Sequence, residues 1–221
     1  MLVLLDTSED LEVCEHEIGC EVQQLLTPLT RFRLQRPGAR FAIDNGAYAG
    51  FNAAAFCSLL EREKERQAQC IFVAVPDVVG SAIRTLEVFA KWAPRLRGKL
   101  RGWPLALVAQ DGQEELPIPW DEINAVFIGG ATEWKTSPAA VQVIRTAQAL
   151  GKWTHVGRVN TPGRFEWAEQ LGVDSIDGTG LSRYSHMRER IYENHRAPKL
   201  FEETSMTAPI AAHGQSVKGA A

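Results

Sequence analysis

Short apolar runs recur along the chain, and the stretches between them carry helical spacing. The runs are Leu2–Leu5, Val22–Leu26, Phe41–Asp44, Ile71–Val75, Leu105–Ala109, Ala125–Ile128, Trp153–Val156 and Asp174–Ile176. Several are apolar at every position, as strands covered on both faces are. The intervening stretches have start and stop signals. Asn52 is placed to cap a helix over 53–69, and Ser81 one over 82–92. Ser137-Pro138 opens a helix that Gly151 closes, and Thr161-Pro162 opens another that Gly172 closes. A hydroxyl residue before Pro at the start, with Gly past the end, is the usual asymmetry of helix termini. Alternating strands and helices predict a parallel sheet with right-handed crossovers. Eight strands favour a closed (β/α)8 barrel over an open doubly wound sheet.

Length sharpens this picture. The chain has 221 residues, short for a fold that typically takes about 250, so its loops must be lean. Residues 1–200 are expected to form one catalytic barrel domain. From 201 to 221 the chain is rich in Ala, Ser, Thr and Gly without periodicity, and a mobile, dispensable tail is expected there. Hydrophobic residues make up 45% and charged residues 23%, with a net charge of −3. A nucleic-acid partner would therefore have to meet a local basic patch. The cysteines, Cys14, Cys20, Cys57 and Cys70, form no CxxC pair, and reduced thiols are expected rather than a metal site. Met1–Leu5 lacks the basic leader of a signal peptide, and no apolar run nears the roughly 18 residues of a membrane span. A cytoplasmic protein with no membrane partner is expected.

The chemistry gathers where the strands end. Asp44 is followed by Asn45-Gly46, and Asp77 follows Val75-Pro76. Gln110 follows Ala109 and precedes Asp111-Gly112. Gly129-Gly130 follows Ile128, Gly157-Arg158 follows Val156, and Asp177 precedes Gly178-Thr179-Gly180. A single Asp after a strand is usually a turn or cap residue. Six successive strand ends of this kind converge on one mouth of a barrel, where active sites lie. Carboxylates sharing one cavity have their pKa values driven apart, which suits acid–base work beside covalent catalysis at an anomeric carbon. Gln110 offers a donor and an acceptor, as a nucleobase edge requires. The paired glycines let a flat ligand approach the backbone.

The ordered set DNGAYAGF (44–51), VPDVVG (75–80), AQDG (109–112), FIGGATEWK (127–135) and VGRVNTPGRFEWAEQLGVDSIDGTG (156–180) resembles the tRNA-guanine transglycosylase superfamily. It is most similar to the short bacterial and bacteriophage branch, the 7-deazaguanine DNA transglycosylases. The resemblance implies exchange of guanine in DNA for a free 7-deazaguanine base such as preQ0, in the cytoplasm of a bacterial or phage-infected cell, with no cofactor and no metal. It implies Asp177 as the nucleophile on C1′ and Asp44 as the general acid/base. It assigns Asp77, Gln110, Gly129, Gly130 and Glu133 to the base. The family's tRNA enzymes carry a Cys/His zinc subdomain after the nucleophile strand, and no cysteine follows Cys70 here. That departure weakens a tRNA substrate, which remains an alternative beside a nucleoside or sugar N-glycosidase.

Lys135, Arg158, Arg164 and Arg183 follow strand ends. They read either as phosphate contacts, with Lys135, Arg158 and Arg183 the foremost, or as a solvated rim. His155 lies inside a strand and reads as a satisfied core or wall histidine. Tyr48 and Phe51 suit base stacking or core packing equally.

Overall fold

The computed structural model describes residues 1–34, 38–98 and 102–196. Eight parallel strands close into a barrel in chain order: β1 (Leu2–Leu5), β2 (Val22–Leu26), β3 (Phe41–Ile43), β4 (Cys70–Ala74), β5 (Leu105–Ala109), β6 (Ala125–Ile128), β7 (Trp153–Val156) and β8 (Ser175–Asp177). Strand β1 shuts the ring: Val3 pairs with Val22 on one side and with Ile176 on the other. Around it lie α1 (Leu11–Ile18), α2 (Ala53–Glu63), α3 (Ala82–Arg97), α4 (Thr132–Lys135), α5 (Pro138–Ala149), α6 (Pro162–Gln170), α7 (Thr179–Arg183) and α8 (Ser185–Arg196). The expected eight-stranded β/α barrel is the observed fold.

The strands are apolar on both faces because each face meets a different core. Val3, Leu5, Val73, Leu107, Val126 and Ile176 point outward and pack with helix residues such as Leu60, Phe89 and Ile144. Leu2, Leu4, Leu25, Ala42, Phe72, Val108 and Phe127 point inward and fill the barrel. Side chains alternate along a strand. The inward set therefore continues past the strand ends into the mouth.

The capping signals are realised. Asn52 Oδ1 accepts the Ala55 amide at 3.0 Å. Ser81, Ser137 and Thr161 also cap α3, α5 and α6 through their hydroxyls. Two helices differ from expectation. The segment 53–69 is α-helical only to Glu63 and then tightens into a 3-10 helix over Lys64–Gln69. Helix α3 runs on past Trp92 to Arg97 and includes Pro94. Pro94 removes one ladder bond, but Phe89, Ala93 and Leu96 keep the apolar face buried, and that burial holds the last turn. Strand β3 ends one residue earlier than expected, β4 is shifted one residue toward the N-terminus, and β8 is shifted one residue toward the C-terminus, which places Asp177 inside it.

Helix α8 folds back onto α1 through Arg188, which is fully buried. Its guanidinium donates to Glu17 Oε2 at 2.5 Å, to Glu9, and to the Leu181 carbonyl at 2.6 Å. The cluster Glu9, Cys14 and Glu17 has the spacing of a cation site, but the buried cation of Arg188 already bridges its two carboxylates. The expected tail, 201–221, lies outside the described residues.

Candidate active site

The strand ends enclose one cavity of about 280 Å³, near the lower end of the roughly 300–1,000 Å³ usual for small-molecule sites. Asp6, Asp44, Asp77, Gln110, Gly129, Gly130, Lys135, Arg158, Asp177 and Arg183 all line it. Asp44, Gln110, Gly129, Gly157 and Asp177 stand two residues beyond the inward-facing Ala42, Val108, Phe127, His155 and Ser175, so the pleat itself aims them at the cavity.

Asp177 is held from both sides. Arg158 donates its backbone N–H to Oδ1 at 3.0 Å. The His155 ring bonds to Oδ2 through Nε2, also at 3.0 Å. Burial by itself would raise the carboxyl's pKa. The His155 hydrogen bond, the Arg158 amide and the nearby Lys135 ammonium outweigh burial and hold it below the ordinary carboxylate value. Arg158 makes its bond from φ 60°, the one positive φ at a non-glycine among the described residues. Such a backbone is strained and persists only where its surroundings fix it. Here the Arg158 guanidinium donates to the Gly130 carbonyl and lies 5.0 Å from the Tyr48 ring centroid.

Asp44 is the opposite case. It sits at the end of β3, and its Oδ1 accepts the Gly46 amide at 2.6 Å. Burial, only partly offset by that hydrogen bond and reinforced by the charges of Asp177, Asp77 and Asp6, pushes its pKa up to about 7. The cavity thus sets a carboxylate that resists protonation opposite a carboxyl that holds its proton near neutrality.

Asp77 belongs to a network of side-chain amides. Asn45 donates to it at 2.8 Å and Gln110 at 2.7 Å. Burial raises its pKa, against the pull of those two bonds. Asn45 spends its second N–H on the Val75 carbonyl. The Gln110 carbonyl accepts the Gly80 amide at 2.9 Å and the Gly130 amide at 3.0 Å. One N–H of Gln110 is therefore left for a ligand, not the full donor–acceptor edge. The paired glycines have a packing reason as well. A Cβ at Gly129 would lie 2.8 Å from Gln110 Nε2, and one at Gly130, where φ is +67°, would lie 2.6 Å from the Trp134 ring.

Two expected residues stand elsewhere. Glu133 is exposed on α4 and does not line the cavity. At about 100° per residue, a helix turns Glu133 and Lys135 to opposite faces, and Lys135 is the one that enters. Lys135 is buried, at 4% exposure, and donates to the Gly157 carbonyl. Burial and the neighbouring Arg158 charge lower its pKa to about 8. It is a wall residue, not a rim cation. Arg183 is exposed at the mouth, while Arg164 does not line the cavity.

Sequence reasoning missed Asp6, Thr27 and Asn45, and it missed His155 as the partner of Asp177. Asp6 accepts the Thr30 hydroxyl at 2.8 Å and the Thr27 hydroxyl at 3.4 Å, and burial raises its pKa. The inward parity of β1, β2 and β7 was the signal that could have found Asp6, Thr27 and His155.

No family model and no curated protein matches the chain. Among solved structures it is similar to a chain of the BexX/CysO complex of Amycolatopsis orientalis, with TM-score 0.52 and 11% identity over 91% of this chain and 94% of that one. It is also similar to KGPDC from Streptococcus mutans, with TM-score 0.44 and 10% identity over 87% and 95% of the two chains. The first likeness shows a shared fold and carries nothing about chemistry.

Proposed function

We propose that this protein is a pentosyltransferase that exchanges guanine in DNA for a free 7-deazaguanine base such as preQ0. The observation that carries the proposal is the pair Asp44 and Asp177 in one cavity, the first pushed up to about 7 and the second held down. The motif resemblance supports the choice of substrate.

The steps follow from that pair. Asp177 attacks C1′ as the bond to guanine N9 breaks, and Asp44 gives its proton to the departing base. The incoming base then passes its N9 proton to Asp44 and attacks C1′, and the electron pair of the broken C1′–O bond returns to Asp177. Two inversions give net retention, as covalent glycosyl transfer requires. A general acid works best with a pKa near the working pH, and a nucleophile must be ionised. The two environments meet those opposite demands. Asp77, held in place by Asn45, and the remaining N–H of Gln110 offer hydrogen bonds to a planar base between Gly129-Gly130 and the Tyr48 side. The target base must leave the helix stack to reach a cavity of this size, with Arg158 and Arg183 at the mouth facing the phosphates.

The test is incubation with guanine-containing DNA and candidate bases, followed by digestion and mass analysis of nucleosides. A 7-deazaguanine deoxynucleoside is expected. Modification of tRNA alone would transfer the activity to the alternative polynucleotide, and cleavage of free nucleosides would point to an N-glycosidase.

A further inference from the structure

We propose that His155 is a positioning residue for Asp177, fixed in one tautomer by Ser175, and that it governs how readily Asp177 is released from the glycosyl intermediate. This rests on the function proposed above only for its last step.

The geometry is a line of three hydrogen bonds on two adjacent strands. His155 and Ser175 are register partners in β7 and β8. Trp153 Nε1, a donor only, gives its hydrogen to Ser175 Oγ at 2.8 Å. Ser175 Oγ lies 2.9 Å from His155 Nδ1, and His155 Nε2 lies 3.0 Å from Asp177 Oδ2. Donor counting orders the protons. The Asp177 carboxylate can only accept, so the imidazole proton sits on Nε2. In the neutral ring Nδ1 is then an acceptor and takes the Ser175 hydroxyl hydrogen, while Ser175 Oγ accepts from Trp153. The ring has no exposure to solvent. Phe72 and Phe127 pack against it, with centroids at 5.0 and 4.4 Å.

The consequence concerns charge. Asp177 is negative as a free carboxylate and neutral as a glycosyl ester. A hydrogen bond to the charged form is the stronger one, so His155 favours the free carboxylate over the ester. As the incoming base attacks C1′, the electron pair returns to Asp177 and the Nε2–H bond tightens. The Arg158 amide on Oδ1 acts in the same sense. The ionisable groups that bear on Asp177 are His155 from β7, Lys135 from α4 and Asp44 from the β3 end. Asp6, Asp77, Arg158 and Arg183 line the same cavity.

The experiment has two arms. In the first, aspartate carboxyl carbons are labelled and titrated by NMR without substrate, with Asp177 assigned by its absence in Asp177→Asn. His155→Phe should raise the Asp177 midpoint by about one to two pH units, the equivalent of one charge-assisted hydrogen bond. His155→Gln, which keeps a donor, should restore most of the shift. Ser175→Ala should give a smaller rise, and it serves as the reading variant if His155→Phe does not fold. In the second arm, the fraction of enzyme held as a DNA adduct during turnover should rise about tenfold in His155→Phe. An unmoved Asp177 midpoint in a folded His155→Phe protein, or a Gln variant indistinguishable from Phe, overturns the proposal. If the wild type makes no adduct, the base-exchange reading fails, and the titration still decides the positioning role.

Discussion

Replacing Asp44 by Asn should make the protein more stable and less active, and the size of the gain follows from the site. The Asn carbonyl can still accept the Gly46 amide that Asp44 Oδ1 accepts at 2.6 Å, so the turn is kept. What is lost is a buried charge facing Asp177, Asp77 and Asp6. In the folded protein that carboxyl ionises near 7, against 3.8 for the free side chain. A folded pKa above the unfolded one means that the native state binds the extra proton. Stability is then greatest below about 4 and falls as pH rises toward 7. A gap of about three pH units at ~1.4 kcal/mol each gives ~4 kcal/mol as the ceiling, and water reaching the open cavity reduces it to ~2–4 kcal/mol. Asn carries no proton to lose. Urea unfolding at pH 5 and pH 8 should show Asp44→Asn gaining on the wild type as pH rises, by ~2–4 kcal/mol at the upper pH. Equal stability differences at the two pH values, or an Asn variant weaker at pH 8, would refute the strained-carboxyl reading of the site.

Four further outcomes are expected. Formation of the covalent adduct should decline as pH rises through about 7, where Asp44 loses its proton, and a single-turnover pH profile checks this; a rate that rises through that range contradicts the acid role. Asp77→Ala should leave the fold intact yet weaken use of free base by ~2–5 kcal/mol, tens- to thousands-fold, measured as the base concentration at half-maximal exchange. Arg183→Ala should flatten the salt dependence of DNA affinity by about one unit of log–log slope, as followed by fluorescence anisotropy. Gly157→Ala would place a Cβ against the Phe127 ring and 3.2 Å from Asp177 Oδ2. It should cost ~1–3 kcal/mol of stability and lower exchange more than DNA binding, read by thermal denaturation beside the two assays.

How much of this was legible in the residues depends on which physical rule governs each one. The barrel was legible because apolar runs bounded by Ser-Pro starts and Gly stops leave few alternatives. Asp44, Gln110, Gly129 and Asp177 were legible because they end strands, and strand parity turns them inward. The same parity places Asp6 beyond Leu4, Thr27 beyond Leu25, and His155 between Trp153 and Gly157. Those three stayed hidden because β1 and β2 end without a glycine signature and because a histidine within a strand reads as packing. Lys135 and Glu133 were misjudged for another reason. A four-residue helix has too few positions to show a period, so nothing in the sequence said which of the two faced the cavity. The continuation of α3 through Pro94 was hidden because Pro usually ends a helix, and only the burial of Ala93 and Leu96 overrides it.

The most direct measurement is where the sugar becomes attached. The protein is incubated with guanine-containing DNA without added base, denatured during turnover, digested with protease and nuclease, and the peptides are mass-mapped. A deoxyribosyl adduct on Asp177, absent from Asp177→Asn although that variant still binds DNA, is the predicted result. An adduct on Asp44 or Lys135, or one that persists in Asp177→Asn, would contradict it.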